Sequence, residues 1–207
     1  MITIKTMKEL GIVPSDGNLS FTGGGSIWGA MVSQEPSIFE GIMKKLQPRR
    51  YFEFGTGSGV SVQIIKTAVP ECECWSLDFD NFNIHREKHA EQLGKPAEAH
   101  YWIGNTFTHP IPVKMFGTMD VVLVDANHMA VSCASDTGRA FDLVRPGGVI
   151  LWHDVYLTDD CGDTFEGEQY KGLKVSKSIE VASYLKDFFP EDAILIKGTS
   201  IAMYVRE

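Results

Sequence analysis

Two short runs in this chain, Asp120-Val121-Val122-Leu123-Val124 and Val149-Ile150-Leu151-Trp152, are apolar at nearly every position rather than at alternate ones. A strand with one wet face alternates polar and apolar residues. A strand apolar on both faces must be covered on both, which places it in the middle of a parallel sheet packed between helices.

The neighbouring segments fit that frame. Ile38, Phe39, Ile42, Met43 and Leu46 recur at helical spacing, with Pro36 in the first turn and Pro48 as the stop. Tyr51–Phe54 reads as a strand closed by Gly55, and a helix follows from about Val60 until Pro70. Cys72–Leu77 and His100–Ile103 are two further strands, with a polar helix at 84–93 between them. Ala134–Val144 is a helix ended by the turn Arg145-Pro146-Gly147-Gly148. A long acidic loop over 154–172 leads to a helix near 174–189. Strands near 193–197 and 201–206, separated by Gly198-Thr199, then form a hairpin. Strands alternating with helices and ending in a hairpin specify an α/β three-layer sandwich with right-handed crossovers. Its sheet has seven strands, mostly parallel, with one antiparallel strand from the C-terminal hairpin.

At 207 residues the chain suits one domain, here 35–207, preceded by a segment 1–34 whose Pro14, Asp16-Gly17 and Gly23-Gly24-Gly25 mark turns. The charge balance of 19 − 27 = −8 repels phosphate backbones and anionic lipids, and no basic patch offsets it. Small-molecule partners are therefore expected, and neither nucleic acid nor membrane. Cys72, Cys74, Cys133 and Cys161 contain no CxxC pair and no disulfide framework. No apolar run approaches the ~20 residues of a membrane span, and no signal-peptide core is present, so a cytoplasmic location is expected.

The chemistry concentrates at Glu53-Phe54-Gly55-Thr56-Gly57-Ser58-Gly59, the junction of the first strand with its helix. Glycines there allow a tight turn and let a ligand approach main-chain N–H groups. A dinucleotide loop prefers G-x-G-x-x-G; here Val60 stands where its third glycine would fall. A carboxylate two positions before Gly55 repels a pyrophosphate and attracts an amine, which favours an amino-acid-bearing ligand. Asp78, 23 residues after Gly55 at a strand end, has the placement that accepts hydrogen bonds from both ribose hydroxyls, with Asp80 as a competing candidate. Asn105, after the third strand, is placed for an adenine edge or for a simple turn. Asp78, Asp125, His128, His153 and Asp154 all fall at or just past the carboxyl ends of strands, where open α/β sheets bind ligands.

With these residues the sequence resembles the class I S-adenosylmethionine-dependent methyltransferases, over roughly 36–206, which carry a Rossmann-like sheet. Within that group it is most similar to small-molecule O-methyltransferases with an Asp-x-x-His segment after the fourth strand and an acidic pair after the fifth. The matching segments are Asp125-Ala126-Asn127-His128 and His153-Asp154. The resemblance implies S-adenosylmethionine as cofactor, held by Glu53, Gly55, Thr56, Gly57, Ser58, Asp78, Asn105 and Asp125. It implies catalytic roles for His128 and Asp154, with His128 as base, and a divalent metal on Asp125, His153 and Asp154. His153 stands where carboxylates are commoner, which shifts the expected ion from magnesium toward one that accepts imidazole.

Two other readings compete: an NAD-dependent oxidoreductase on a related sheet, and a non-catalytic S-adenosylmethionine-binding module. Trp28 and Met31 are candidates for an acceptor wall in a lid formed by the N-terminal segment. Trp102 and Trp152, inside strands, are expected in the core. The acceptor depends on 1–34 and 155–172, and the same stretches offer a surface for a homo-oligomer contact, with the oligomeric state left open.

Overall fold

The computed structural model describes residues 3–15, 35–57, 59–79, 98–155, 185 and 192–207. The elements among them are β1 (Thr3–Lys5), α1 (Glu35–Leu46), β2 (Arg50–Phe54), α2 (Val60–Ala68), β3 (Glu73–Asp78) and β4 (His100–Ile103). They continue with β5 (Met119–Val124), α3 (Ala130–Leu143), β6 (Val144–Trp152), β7 (Ile194–Ile196) and β8 (Ala202–Val205). All eight strands join one sheet in the order β1-β7-β8-β6-β5-β2-β3-β4. Only β8 runs against the rest, antiparallel to both β6 and β7.

The apolar runs sit where their composition requires. β2, β5 and β6 are adjacent at the centre of the sheet, and their side chains divide between two cores with period 2. Tyr51, Val121, Leu123, Val149 and Leu151 face the core shared with α1 and α2. Phe52, Phe54, Val122, Val124, Ile150 and Trp152 face the core shared with α3. Trp152 is fully buried, as expected, and Trp102 packs edge-on against Phe52 at the rim of the same core.

Helix α1 lays Ile38, Phe39, Ile42 and Met43 on the sheet. It closes with Gln47 in the left-handed region (φ 47°), whose N–H donates to the Met43 carbonyl, and Pro48 then prevents continuation.

Three local features differ from the sequence expectation. An eighth strand, β1, adds to the edge of the sheet by pairing parallel with β7; three residues, two of them exposed, carry no periodic signal. Arg145-Pro146-Gly147-Gly148 does not stand outside the strand but forms its irregular first half. Gly147 at φ 73° donates to the Arg206 carbonyl, Arg206 returns a bond to Gly148, and the register with β5 slips between Met119 and Val121. Helix α3 begins one turn earlier than its apolar pattern, after a turn in which the Asn127 side-chain oxygen accepts from the Met129 N–H at 2.9 Å.

From β2 the chain winds outward through β3 and β4, then returns to lay β5 and β6 on the other side of β2. The strand order therefore reverses between β2 and β5, and the crevice beyond their carboxyl ends is the topological switch point where such sheets bind ligands. Among the described residues no helix is long and apolar enough to cross a membrane. Cys72, Cys74 and Cys133 are free and buried. Several expectations lie outside the described residues: Ser58, Asp80, Trp28, Met31, Cys161, the 84–93 helix, most of the 154–172 loop and, apart from Leu185, the 174–189 helix.

Candidate active site

Gly55 lies at the switch point. Its N–H donates to the Leu77 carbonyl at 2.8 Å, while the Asp125 N–H donates to the Phe54 carbonyl at 2.8 Å. The chain turns there at φ 93°, and a Cβ would run into the Asp125 carbonyl and the Ala126 Cα. Only glycine meets both conditions. The turn continues through Gly57 (φ 49°) and Gly59 (φ 79°) into α2.

Two carboxylates secure this loop. Asp78 Oδ2, at the end of β3, accepts the backbone N–H groups of Thr56 (2.7 Å) and Gly57 (2.9 Å). The expected sugar-binding carboxylate thus also knits the loop to the sheet. Glu53 points beneath the loop and is fully buried. Its Oε2 accepts from the Tyr51 hydroxyl (2.7 Å) and Ser61 (2.5 Å), and its Oε1 accepts from Ser76 (2.6 Å). Ser76 in turn hydrogen-bonds the Thr56 hydroxyl. Tyr51, Ser61 and Ser76 were not singled out from sequence. The available signal was the two-residue spacing of Tyr51 and Glu53, which sends both to one face of β2.

Burial pushes the Glu53 carboxyl up to about 7 against the three hydroxyl donors, and the nearby Asp125 charge acts in the same direction. A folded-state value above the unfolded one gives stability that is complete below the unfolded value and is lost as pH rises through about 7. Glu53→Gln keeps the shape and removes this ionisation. Between pH 5 and pH 8 the wild type should lose roughly 3 kcal/mol that the variant does not, at ~1.4 kcal/mol per unit. Denaturant unfolding of both proteins at the two pH values measures it.

The second cluster lies past β5 and β6. His128 Nε2 is 2.9 Å from Asp154 Oδ2 and 3.9 Å from Asp125 Oδ1. The Asp154 hydrogen bond raises the His128 imidazole above its ordinary value, with burial opposing and the Asp154 and Asp125 charges assisting. Asp154 adopts the left-handed region at φ 56°, a conformation that costs a non-glycine residue about 1–3 kcal/mol and collects at functional sites. His153 is almost wholly buried, with Nδ1 3.2 Å from Asp125 Oδ1 and Nε2 3.1 Å from Glu35 Oε2.

Each ring nitrogen of His153 faces a carboxylate oxygen, and a neutral imidazole has only one N–H to donate. The geometry therefore calls for the doubly protonated ring. Burial alone would depress the imidazole, but the Asp125, Asp154 and Glu35 charges carry it well above the ordinary value. Glu35, the first residue of α1, spends its other oxygen on the Ser200 N–H and hydroxyl, both at 2.7 Å. Burial opposes its ionisation, yet His153 and Ser200 hold its carboxyl below the usual range. Glu35 and Ser200 were invisible to sequence reading because 118 and 165 positions separate Glu35 from its two partners.

The structure thus brings Asp125, His128, His153 and Asp154 together. The donor atoms that converge, all within 4.8 Å of one another, belong to Asp125, His128 and Asp154. His153, expected among the metal ligands, has both nitrogens engaged by carboxylates instead. Asn105 joins neither cluster; its Oδ1 accepts from the Phe107 N–H at 2.8 Å and closes a local turn.

A loop and two carboxylates at the switch point, beside a His–Asp cluster, fit a nucleoside cofactor next to a proton-accepting site. The model of the family described as a methyltransferase domain matches residues 52–155, half of the chain. The chain belongs to that family. The matched range contains the glycine loop, Asp78 and the Asp125–Asp154 cluster. No curated protein sequence matches at a significant level. Solved structures share the fold. The O-methyltransferase TomG from Streptomyces achromogenes, solved with SAM, superposes with a TM-score of 0.58 at 17% identity, over 86% of this chain and 82% of that one. A putative caffeoyl-CoA O-methyltransferase from Staphylococcus aureus gives 0.62 at 9% identity, over 86% and 85%. The SAH-bound Podospora anserina methyltransferase PaMTH1 gives 0.60 at 16%, over 86% and 80%.

Proposed function

We propose that this methyltransferase transfers the sulfonium methyl group of S-adenosylmethionine to a hydroxyl oxygen of a small molecule, with His128 as the base. The observation that carries the reading is the 2.9 Å contact between His128 Nε2 and Asp154 Oδ2 beside the switch point. Asp154 fixes Nε2–H and leaves Nδ1 as the nitrogen that takes the acceptor's proton, and about a third of the His128 side chain is exposed. The acceptor oxygen attacks the methyl carbon as the carbon–sulfur bond breaks. The electron pair stays on sulfur, the sulfonium charge is discharged, and the products are the methyl ether and S-adenosylhomocysteine. Positioning supplies much of the acceleration in such a displacement, since the nucleophile must lie in line with the departing sulfur.

The chain's residues divide the work. The Gly55–Gly59 turn seats the cofactor, Asp78 faces its ribose while holding the loop, and Glu53 supports the loop from below. The SAM- and SAH-bound neighbours on this fold support the choice of cofactor, and the neighbours described as O-methyltransferases support oxygen as the acceptor atom.

The convergence of Asp125, His128 and Asp154 favours a second reading. One carboxylate oxygen, one imidazole nitrogen and a second carboxylate oxygen within 4.8 Å fit the donor set of a divalent ion that accepts nitrogen. Such an ion would lower the pKa of a bound hydroxyl, with His128 as a ligand rather than the base. Incubation with methyl-labelled S-adenosylmethionine and a panel of phenols, catechols and aliphatic alcohols tests both readings. The base reading expects label in an ether product with or without EDTA. Loss of turnover in EDTA, restored by a divalent ion, would replace it with the metal reading. Label appearing only in amine acceptors would overturn the choice of oxygen.

A further inference from the structure

One buried group takes no part in the chemistry above. Glu35 is 1% exposed, sits at the first turn of α1, and bridges the ends of two distant strands. Its Oε1 is anchored by two donors of Ser200, in the turn that leads into β8, and its Oε2 grips His153 Nε2. The opposite nitrogen of the same ring reaches Asp125 Oδ1. A continuous chain of hydrogen bonds therefore runs Ser200–Glu35–His153–Asp125 and ends on a carboxylate of the converging cluster.

Net stability is a weak reason for such a chain. Burying a carboxylate and an imidazolium costs several kcal/mol per ion in desolvation, and replacing such pairs by apolar residues of similar volume is often neutral or stabilising. What the chain supplies is direction. An imidazole gripped at one nitrogen presents the other along a fixed line, and here that line ends on Asp125.

We infer that Glu35 is a positioning residue for the active site: by holding His153 Nε2 it turns Nδ1 onto Asp125 and fixes the carboxylate around which His128 and Asp154 gather. This assignment builds on the proposed function but rests on its own contacts. Glu35 touches neither the glycine loop nor Asp78, so its loss should leave cofactor binding intact. Partners bonded directly to a ligand are worth about 10–100-fold in metal affinity or activity when removed; His153 holds that place here, and Glu35 acts through it.

The test compares wild type, Glu35→Gln and Ser200→Ala as full-length proteins. Three readouts are taken: calorimetric affinity for S-adenosylhomocysteine, calorimetric affinity for Mn2+ as a probe of the cluster, and 15N spectra of labelled histidine side chains. Glu35→Gln should bind S-adenosylhomocysteine within about twofold of wild type. Its Mn2+ affinity should fall by about tenfold, the low end of the range for a ligand's direct partner, and the His153 resonance should move away from that of a ring donating from both nitrogens. Ser200→Ala, which keeps the backbone donor, should shift both readouts in the same direction by less. An unchanged His153 resonance in Glu35→Gln overturns the inference. So does a parallel loss of melting temperature and S-adenosylhomocysteine affinity, which would mark Glu35 as fold support alone. If wild type takes no Mn2+, the metal reading fails, and the 15N spectra decide the role of Glu35 by themselves.

Discussion

Gly55→Ala is expected to weaken binding of S-adenosylhomocysteine several hundredfold. The substitution meets two penalties together. At φ 93° an L side chain is strained, and the new Cβ would collide with the Asp125 carbonyl and the Ala126 Cα. Backbone strain of this kind costs about 1–3 kcal/mol, and a collision with main-chain atoms adds to it because no rotamer can relieve it. At ~1.4 kcal/mol per tenfold, a total near 3–4 kcal/mol weakens binding by several hundredfold if the loop shifts. It lowers the melting temperature by several degrees if the loop holds. Gly138→Ala is the control. That glycine lies in α3 with open space around it, so alanine should leave binding unchanged and add up to ~1 kcal/mol to stability. Calorimetry and thermal unfolding on the two variants separate a specific requirement from a general intolerance of alanine.

The second large effect is expected from His128→Ala. As the base, His128 contributes about 10²–10⁴-fold to the rate. The variant should lose that factor in kcat while S-adenosylhomocysteine affinity stays near wild type, because His128 lies outside the glycine loop and Asp78 contacts. The pH profile carries the same information. The base works only as the neutral ring, and Asp154 raises its pKa above the ordinary imidazole value. Turnover should therefore climb with pH through a midpoint above 6.5, and Asp154→Asn should move that midpoint down while lowering the plateau. Full turnover in His128→Ala would remove the base from the mechanism.

Much of this arrangement was legible in the sequence, for identifiable reasons. The runs Val121–Val124 and Val149–Trp152 announced a doubly covered parallel sheet, because nothing else makes consecutive apolar residues compatible with strands. The glycine turn was legible because Gly55 answers a backbone requirement that no other residue meets. Asp78, Asp125, His128 and Asp154 could be placed at or past strand ends because the strand ends were readable, and the structure sets them there. Glu35 and Ser200 were not legible, since their partnership exists only once α1 and the β7–β8 connection fold over β6. His153 illustrates the same limit. Its position beside Asp154 implied a metal ligand, yet the structure turns it inward between Glu35 and Asp125, a choice made by a residue 118 positions away. β1 escaped notice because three residues at a sheet edge have no pattern to show. The Arg145–Gly148 segment looked like a turn and is instead an irregular strand, drawn into the ladder by Arg206 at the far end of the chain.

The central claim is that the switch point between β2 and β5 seats an adenosyl sulfonium cofactor. Calorimetric titration of the wild-type protein with S-adenosylhomocysteine and with NAD, repeated on Asp78→Ala, addresses it most directly. The account predicts saturable one-site binding of S-adenosylhomocysteine, at least tenfold weaker in Asp78→Ala, and no heat from NAD. Binding of NAD with silence toward S-adenosylhomocysteine, or S-adenosylhomocysteine binding indifferent to Asp78, would contradict it.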